Sequence, residues 1–356
     1  MRLALLMSHA DRSMAGAMRD MHFMRFLARA GAEIAVFRLH PGPEVERESY
    51  LEGEVPVTFT PSDNPGEIPH RQVSAALVRA VRDFAPDAIL MKGLSYRVNA
   101  ALREGLADMP GGAPRFGFVV GGSVTDPVLD AADFVFGEYP EQLRRHFPRF
   151  AAEGRAFVMP KYVDLDATRP RSAPEEPLHD IINVGGLHEK RKNQEEVVPF
   201  TDSWRVVLVG GGVPRPEVKA AVADPSRLTL AGRLPQPEVI SLLRRSRIMV
   251  HPSRMDGLPR AVVEAMACGL PVVVYRDTVY GGFVEGQHGF MVGPDSLRPA
   301  VELLLREEGL RRAMGRRARR HVEASHGLPA LARSAEAFLG FLHGQSDAPV
   351  AAGVAG

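Results

Sequence analysis

The stretch His251-Pro252-Ser253-Arg254-Met255-Asp256-Gly257-Leu258-Pro259-Arg260-Ala261-Val262-Val263-Glu264-Ala265-Met266-Ala267-Cys268-Gly269-Leu270-Pro271-Val272-Val273-Val274 reads as strand end, loop, helix and next strand in succession. Ile248–His251 closes a buried apolar run, and Met255–Leu258 is a loop containing a glycine. Pro259 suits the first turn of a helix, where a missing N–H costs nothing. Gly269 suits the helix end, and Pro271 prevents continuation. A helix of about ten residues follows a strand, so its N-terminus lies at the carboxyl edge of a sheet. Free N–H groups and the helix dipole make that end an anion site. Gly257 lets the backbone approach a phosphate closely.

Outward from this stretch, the same pattern repeats. In the second half, Asp180–Val184, Trp204–Val209, Leu228–Ala231, Ile248–His251 and Pro271–Tyr275 read as strands. Pro237–Arg245, Pro259–Cys268 and Leu297–Glu307 read as helices between or after them. In the first half the strands are Arg2–Met7, Glu33–Leu39, Asp87–Lys92, Arg115–Val120, Asp133–Gly137 and Ala156–Pro160, with helices at Met14–Ala30, His70–Phe84 and Glu141–Phe150. Strands that alternate with helices and are near-continuously apolar belong to parallel sheets covered on both faces. Between the halves, Asp166–Pro177 is rich in proline and charge and has no periodicity.

The expected architecture is therefore α/β: two doubly wound, Rossmann-like domains facing a central cleft. Residues 1–165 form the first domain, 166–178 a linker and 179–325 the second domain. A helix over 326–343 packs back on the first domain, and 344–356 is a loose tail. Glu308–Leu342 reads as helical, with Arg311, Arg312, Arg316, Arg317, Arg319 and Arg320 as a solvated face rather than an anion site.

Composition narrows the functional classes. The chain has 356 residues, 45% hydrophobic and 24% charged, which fits two globular domains rather than a disordered or coiled-coil chain. Lys+Arg 44 against Asp+Glu 43 leaves +1, too little for an overall field that holds nucleic acid. The single cysteine, Cys268, excludes an internal disulfide and a cysteine-rich zinc site, and a reducing cytoplasm is the expected home. The first strand is too short an apolar run for a signal peptide, and no stretch reaches the roughly 18–20 apolar residues of a membrane span. No Gly-x-Gly-x-x-Gly follows the first strand, and neither a P-loop nor His-Glu-x-x-His occurs, which counts against nicotinamide, P-loop and zincin chemistry.

Three clusters carry the chemistry. Asp256 and Glu264 flank the helix N-terminus; two carboxylates there suit a ligand that carries hydroxyl groups as well as phosphate. The rival reading is that Asp256 only caps the helix and Glu264 is exposed on it. Val184-Gly185-Gly186-Leu187-His188-Glu189-Lys190-Arg191-Lys192-Asn193-Gln194 follows the first strand of the second domain. Its three cations at the carboxyl edge could hold a diphosphate and offset the charge that grows on it as a bond breaks. Val207-Leu208-Val209-Gly210-Gly211-Gly212 is a further strand followed by a glycine turn. Asp164-Leu165-Asp166 could serve a metal–diphosphate, but a turn is the favoured reading.

The second half resembles the donor domain of the retaining glycosyltransferases of family 4, of GT-B fold. An acidic residue, seven intervening residues and a Glu recur as Asp256 to Glu264, and Ser253 also matches. Gly232-Arg233-Leu234-Pro235-Gln236-Pro237-Glu238-Val239 resembles the family loop near the nucleotide base, and Gly282–Val292 a later family segment. In the first half the likeness is mainly architectural, with Gly16 in the glycine loop after strand one. Asp164 resembles the acidic residue of the family's interdomain turn.

This resemblance implies that Lys192, Asp256 and Glu264 are the catalytic set: Lys192 on the diphosphate, Asp256 on the donor sugar and Glu264 on the ribose. Gly16, Gly186, Lys190, Arg191, Gly211, Arg233, Leu234, Gly257, Leu258 and Arg260 would bind the rest of the donor. Transfer would retain configuration and need neither metal nor cofactor. The donor would be a nucleoside diphosphate sugar, UDP being the expected nucleotide, and the acceptor a glycan or lipid-linked hydroxyl. Nucleic acid is not an expected partner.

Three departures accompany the likeness. Asp256 stands where Glu is usual, Gly186 where Arg is frequent, and Val119–Ser123 lacks the family's histidine. They motivate a second hypothesis, a catalytically silent, glycosyltransferase-like binding subunit. An epimerase or phosphorylase fits the spacing and chain length less well. The Met- and Phe-rich Met14–Ala30 helix, with Arg19, Arg25 and Arg29, could touch a membrane surface; a core-facing helix is the favoured reading.

Overall fold

The computed structural model describes residues 1–8, 14, 17–121, 126–170, 177–254, 257–276 and 282–345. The chain divides into two units, Met1–Tyr162 with Leu328–Gly356, and Val163–Gly327.

The first unit opens with β1 (Arg2–Met7), α1 (Met18–Arg29), β2 (Glu33–His40), β3 (Glu46–Tyr50) and β4 (Val55–Pro61). It continues with α2 (Ala75–Phe84), β5 (Ala88–Lys92), α3 (Arg97–Gly105), β6 (Arg115–Val119) and β7 (Phe134–Gly137), then α4 (Pro140–His146), α5 (Pro148–Ala152) and β8 (Ala156–Val158). The strands form one sheet in the order β3-β4-β2-β1-β5-β6-β7-β8. All neighbours are parallel except the β3–β4 hairpin.

Alternate residues of β1 feed two cores: Leu3, Leu5 and Met7 on one face of the sheet, Ala4 and Leu6 on the other. This explains why the strand reads as a continuous apolar run. Helix α1 turns Met21, Phe23, Met24 and Leu27 into the first of these cores, so the core-facing reading of the Met14–Ala30 segment holds for its described residues.

Three local departures have local causes. The expected Glu141–Phe150 helix is two helices, α4 and α5, because Pro148 starts a new one at Phe147. The expected His70–Phe84 helix begins only at Ala75, where Ser74 Oγ accepts from Leu77 N–H at 3.0 Å. The β3–β4 hairpin was not expected from the sequence. Its edge strand, Glu46-Arg47-Glu48-Ser49-Tyr50, lies largely outside the core and carries no apolar alternation.

The second unit contains β9 (His179–Val184), β10 (Val206–Val209), α6 (Pro216–Ala220), β11 (Leu228–Gly232), α7 (Gln236–Arg244) and β12 (Ser246–His251). It continues with α8 (Arg260–Ala267), β13 (Val272–Tyr275), β14 (Gly289–Val292), α9 (Pro294–Arg306) and α10 (Glu308–Ser325). Its sheet is parallel throughout, in the order β11-β10-β9-β12-β13-β14. Asp164 closes a turn by accepting from Asp166 N–H at 3.0 Å and Ala167 N–H at 2.9 Å.

The Glu308–Leu342 segment is interrupted at His326-Gly327, after which α11 (Leu328–Leu342) returns to the first unit. A Cβ on Gly327 would meet the Leu165 side chain at 2.7 Å. Leu331, Ala335 and Phe338 of α11 enter the same core as α1, where Phe338 packs against Phe134, Phe136 and Phe157. The chain passes to the second unit after Tyr162, ahead of the expected linker; its described residues 166–170 and 177–178 cluster with the second unit. Among the described residues, no helix is long and apolar enough to cross a membrane.

Candidate functional site

In the second sheet the chain runs outward from β9 through β10 to β11, then returns to the other side of β9 as β12. The loops after β9 and β12 therefore diverge at a switch point on the carboxyl edge, the place where open α/β sheets receive ligands.

Hydrogen bonds tie these two loops together. Asn193, in a left-handed conformation with φ 48°, donates from Nδ2 to Pro252 O at 2.7 Å. Ser253 Oγ and the Arg254 N–H both donate to Arg191 O, at 3.1 and 3.3 Å. The fully buried Gln194 reaches back to Gly186 O at 3.1 Å. Beneath them, Asn183 Nδ2 donates to Val250 O at 2.8 Å.

The glycine turns meet backbone to backbone. A Cβ on Gly210 would fall 1.9 Å from Gly185 O, so no larger residue fits there. Leu187 N–H donates to Gly211 O at 2.9 Å, and Gly210 N–H to Gly232 O at 2.8 Å. The turns after β9, β10 and β11 thus form one continuous ledge. The exposed Arg233 side chain crosses it, its Cβ 3.5 Å from where a Cβ on Gly211 would lie. Leu234 beside it is half-buried.

Lys192 is only 9% exposed, and its methylenes run across Gly185, 3.2–3.4 Å from where a Cβ would sit. The other cations of the run differ. Lys190 is exposed, and Arg191 is exposed and paired with Glu189. Arg254 is paired with Glu196 at 3.5 Å. The three cations expected to act together are therefore not equivalent, because their short loop turns through a 3-10 segment that buries Lys192 alone. At Gly186, a Cβ would meet the Glu189 carboxylate at 2.4 Å, so a larger residue there would require Glu189 to move.

Helix α8 packs on β12 and β13 and against α7 and α10. Its C-terminal carbonyl at Ala267 accepts from Arg319 at 2.7 Å, and the same guanidinium donates to Leu165 O at 3.0 Å. Arg319 is thus a structural cap, unlike the solvated face expected for it. At the other end, Pro259 offers no side-chain cap. Among the described residues, a side chain meets the helix's negative end and none caps its positive end. Leu258 is buried there, Gly257 half-buried and Arg260 exposed.

Glu264, in the second turn of α8, is 5% exposed, so the reading of it as an exposed helix residue does not hold. Burial pushes its carboxyl above the usual range, partly offset by a hydrogen bond from Gln236 and by Arg260. Gln236 Nε2, at the start of α7, donates to Glu264 Oε1 at 2.8 Å. Among the described residues that is the carboxylate's one side-chain partner, although a carboxylate offers about four acceptor positions. The sequence gives Gln236, Asn193 and Gln194 no role of their own within the stretches that contain them, because amides in polar loops carry no recognisable spacing. Gly16 and Asp256 lie outside the described residues.

The first unit holds a different charge cluster at the carboxyl edge of its own sheet. Asp20 is buried between Lys92 Nζ at 2.7 Å and Arg19 at 3.3 Å. Glu138, also buried, pairs with Lys161 and lies 3.7 Å from Arg19. Gly121 stands beside Glu138 in the region where the family's histidine was missed.

Comparison with known proteins follows the same division. Residues 179–307 match the family model for glycosyl transferases group 1. An uncharacterized glycosyltransferase of Methanocaldococcus jannaschii is 34% identical over 94 residues, 25% of this chain and 27% of that protein. The sulfoquinovosyl transferase SQD2 of Arabidopsis thaliana is 28% identical over 160 residues, 42% of this chain and 31% of that protein. The chain spans less than a third of the length of these two curated relatives. Sucrose-phosphate synthase from Thermosynechococcus elongatus matches over 97% of this chain and 100% of its own, with a TM-score of 0.73 and 17% identity. The Anabaena protein HepE, solved in complex with UDP, matches over 96% of this chain and 100% of its own, with a TM-score of 0.67 and 13% identity. The chain has the GT-B fold of these proteins, built on two parallel-sheet α/β units, and its residues 179–307 are similar to the glycosyl transferases group 1.

Proposed function

We propose that this protein is a retaining, metal-independent glycosyltransferase of family 4. It moves a sugar from a nucleoside diphosphate sugar to a hydroxyl acceptor in glycan, polysaccharide or glycolipid assembly. The observation that carries this reading is the coincidence, at the switch point of the second sheet, of a helix N-terminus with no side-chain cap among the described residues, a buried lysine and a buried carboxylate with one amide donor. The first two suit paired phosphates; the third suits sugar hydroxyls, which donate to carboxylates.

In this mechanism the anomeric carbon gains positive charge as its bond to the diphosphate lengthens, and the diphosphate gains negative charge. Lys192 and the α8 N-terminus stabilise that departing charge. Glu264 holds the ribose, and Asp256 is assigned to the donor sugar. With configuration retained, the acceptor attacks from the face the diphosphate leaves, and a leaving phosphate oxygen takes the acceptor's proton. The UDP bound to HepE supports UDP as the nucleotide.

The test is a panel of UDP, GDP and ADP and their sugars against the full chain. Thermal shift reads binding, since a nucleotide that binds only the folded state raises apparent stability. Product analysis with added glycan and lipid-linked acceptors reads transfer. A rise with one nucleotide, together with transfer from its sugar, is the expected result. No nucleotide raising the melting temperature would overturn the assignment. Binding without hydrolysis or transfer would favour a silent binding subunit.

A further inference from the structure

A buried carboxylate needs its acceptor positions filled, and Glu264 has one of them filled by a side chain. That donor, Gln236, comes from a different helix and is itself exposed. Its second N–H and its carbonyl oxygen make no side-chain hydrogen bond among the described residues. Among the described residues, one amide therefore fixes one carboxylate oxygen and no side chain donates to the other. Gln236 also opens α7 directly after the β11 turn, Gly232-Arg233-Leu234-Pro235, so it stands between the glycine ledge and α8.

We propose that Gln236 is the positioning residue for Glu264: it holds the carboxylate so that its second oxygen meets the vicinal hydroxyls of the donor ribose, and it thereby sets the preference for ribonucleotides over deoxynucleotides. This rests on the nucleotide-sugar reading above. The physical logic is that of a site built to hydrogen-bond a hydroxyl. An analogue without the hydroxyl leaves a buried acceptor unpaired, whereas a mobile carboxylate could turn to other partners and lose the discrimination.

The same geometry gives a pH signature. Ribose hydroxyls donate to the ionised carboxylate, so binding falls as pH drops through the Glu264 pKa. The Gln236 hydrogen bond opposes the upward push of burial on that carboxyl. Without the amide, the fall in binding moves to higher pH. A residue that only supported the fold would leave this profile in place.

The experiment compares the full chain with Gln236→Ala, Gln236→Lys and Glu264→Gln. Calorimetry measures each against the ribonucleotide diphosphate that binds best and its 2′-deoxy counterpart, across pH 4.5–8 as a roughly chosen range spanning carboxylate titration. The parent is expected to favour the ribonucleotide about tenfold or more, the scale of one lost hydrogen bond. Gln236→Ala should bring that ratio close to one and shift the acid limb upward. Gln236→Lys, which restores a donor, should recover much of the ratio. Glu264→Gln should lose both the discrimination and the acid limb. An unchanged ratio and acid limb in Gln236→Ala, with Glu264→Gln impaired, would refute the role of Gln236 and leave the nucleotide reading standing. A parent chain that binds no nucleotide would overturn both.

Discussion

Replacing Lys192 by methionine separates charge from packing. The lysine stem lies across Gly185 at contact distance, and methionine keeps an unbranched chain of similar length there. What is lost is the ammonium. A unit charge about 4 Å from a phosphoryl oxygen, at the effective dielectric near 20 that suits protein sites, interacts by about 4 kcal/mol. Only the part that grows as the diphosphate departs affects turnover, which puts the loss at about 10²–10³ in kcat. The assay is steady-state release of nucleoside diphosphate from the preferred donor, beside a denaturation curve for each protein. The reasoning requires a melting temperature close to the parent's and a kcat lower by at least tenfold. A variant that kept kcat within about threefold would show that the lysine does not face the developing charge. A variant that unfolded with the parent's specific activity in its folded fraction would make Lys192 structural.

Further expectations follow from burial and geometry. Gly210→Ala places a Cβ 1.9 Å from Gly185 O and should destabilise the protein by about 1–3 kcal/mol while weakening nucleotide binding, both readable by thermal shift. Asp20, buried and flanked by Arg19 and Lys92, has its pKa lowered from 3.8 to about 2, the two cations outweighing desolvation. It therefore adds about 2 kcal/mol that is fully present above pH 3.8 and lost as pH falls towards 2; urea titration of Asp20→Asn should show that deficit at pH 7 and its narrowing in acid. Burial, then the neighbouring His321 and Arg317, push His288 down to about 4. Stability tied to its neutral form is present above 6.5 and lost as pH falls through about 4, so His288→Asn should flatten the acid limb of the melting temperature over that window.

Much of the fold was legible because parallel strands buried on both faces leave unbroken apolar runs, as in Leu3–Met7 and Val206–Val209. The hairpin at Glu46–Pro61 was not, since its outer strand is charged and an edge strand need not be apolar. Helix α3 was missed for a related reason: Arg97–Gly105 buries only Val98, Asn99 and Leu102, a stripe too narrow to stand out. At the site, the spacing placed Glu264 beside the helix N-terminus, and the glycine turns after β9 and β10 were legible as turns. The inequality among Lys190, Arg191 and Lys192 was invisible, because it depends on Glu189 and on a one-turn 3-10 segment. Gln236 was invisible too, since its significance lies in contact with a residue 28 positions away.

Two buried carboxylates differ in how far the protein itself compensates their charge. Asp20 and Glu264 are about equally hidden, at 1% and 5% exposure. Desolvation is the largest influence on both and acts upward on both. For Asp20 it is overcome by a lysine at 2.7 Å and an arginine at 3.3 Å, and the carboxyl ends well below its ordinary value. For Glu264 one neutral amide and the charge of Arg260 do not overcome it, and the carboxyl ends above its ordinary value. An acid whose charge is already compensated has little to gain from a ligand. A buried acid held by a single amide gains from each hydroxyl that donates to it, because each donor supplies stabilisation the protein has left out. Nucleotide binding should therefore raise the protonation resistance of Glu264: its carboxyl pKa, followed by carbon-detected NMR, should fall on adding the preferred nucleotide while that of Asp20 stays in place. A pKa of Glu264 that rose or stood still on saturation would mean that the ribose is held elsewhere.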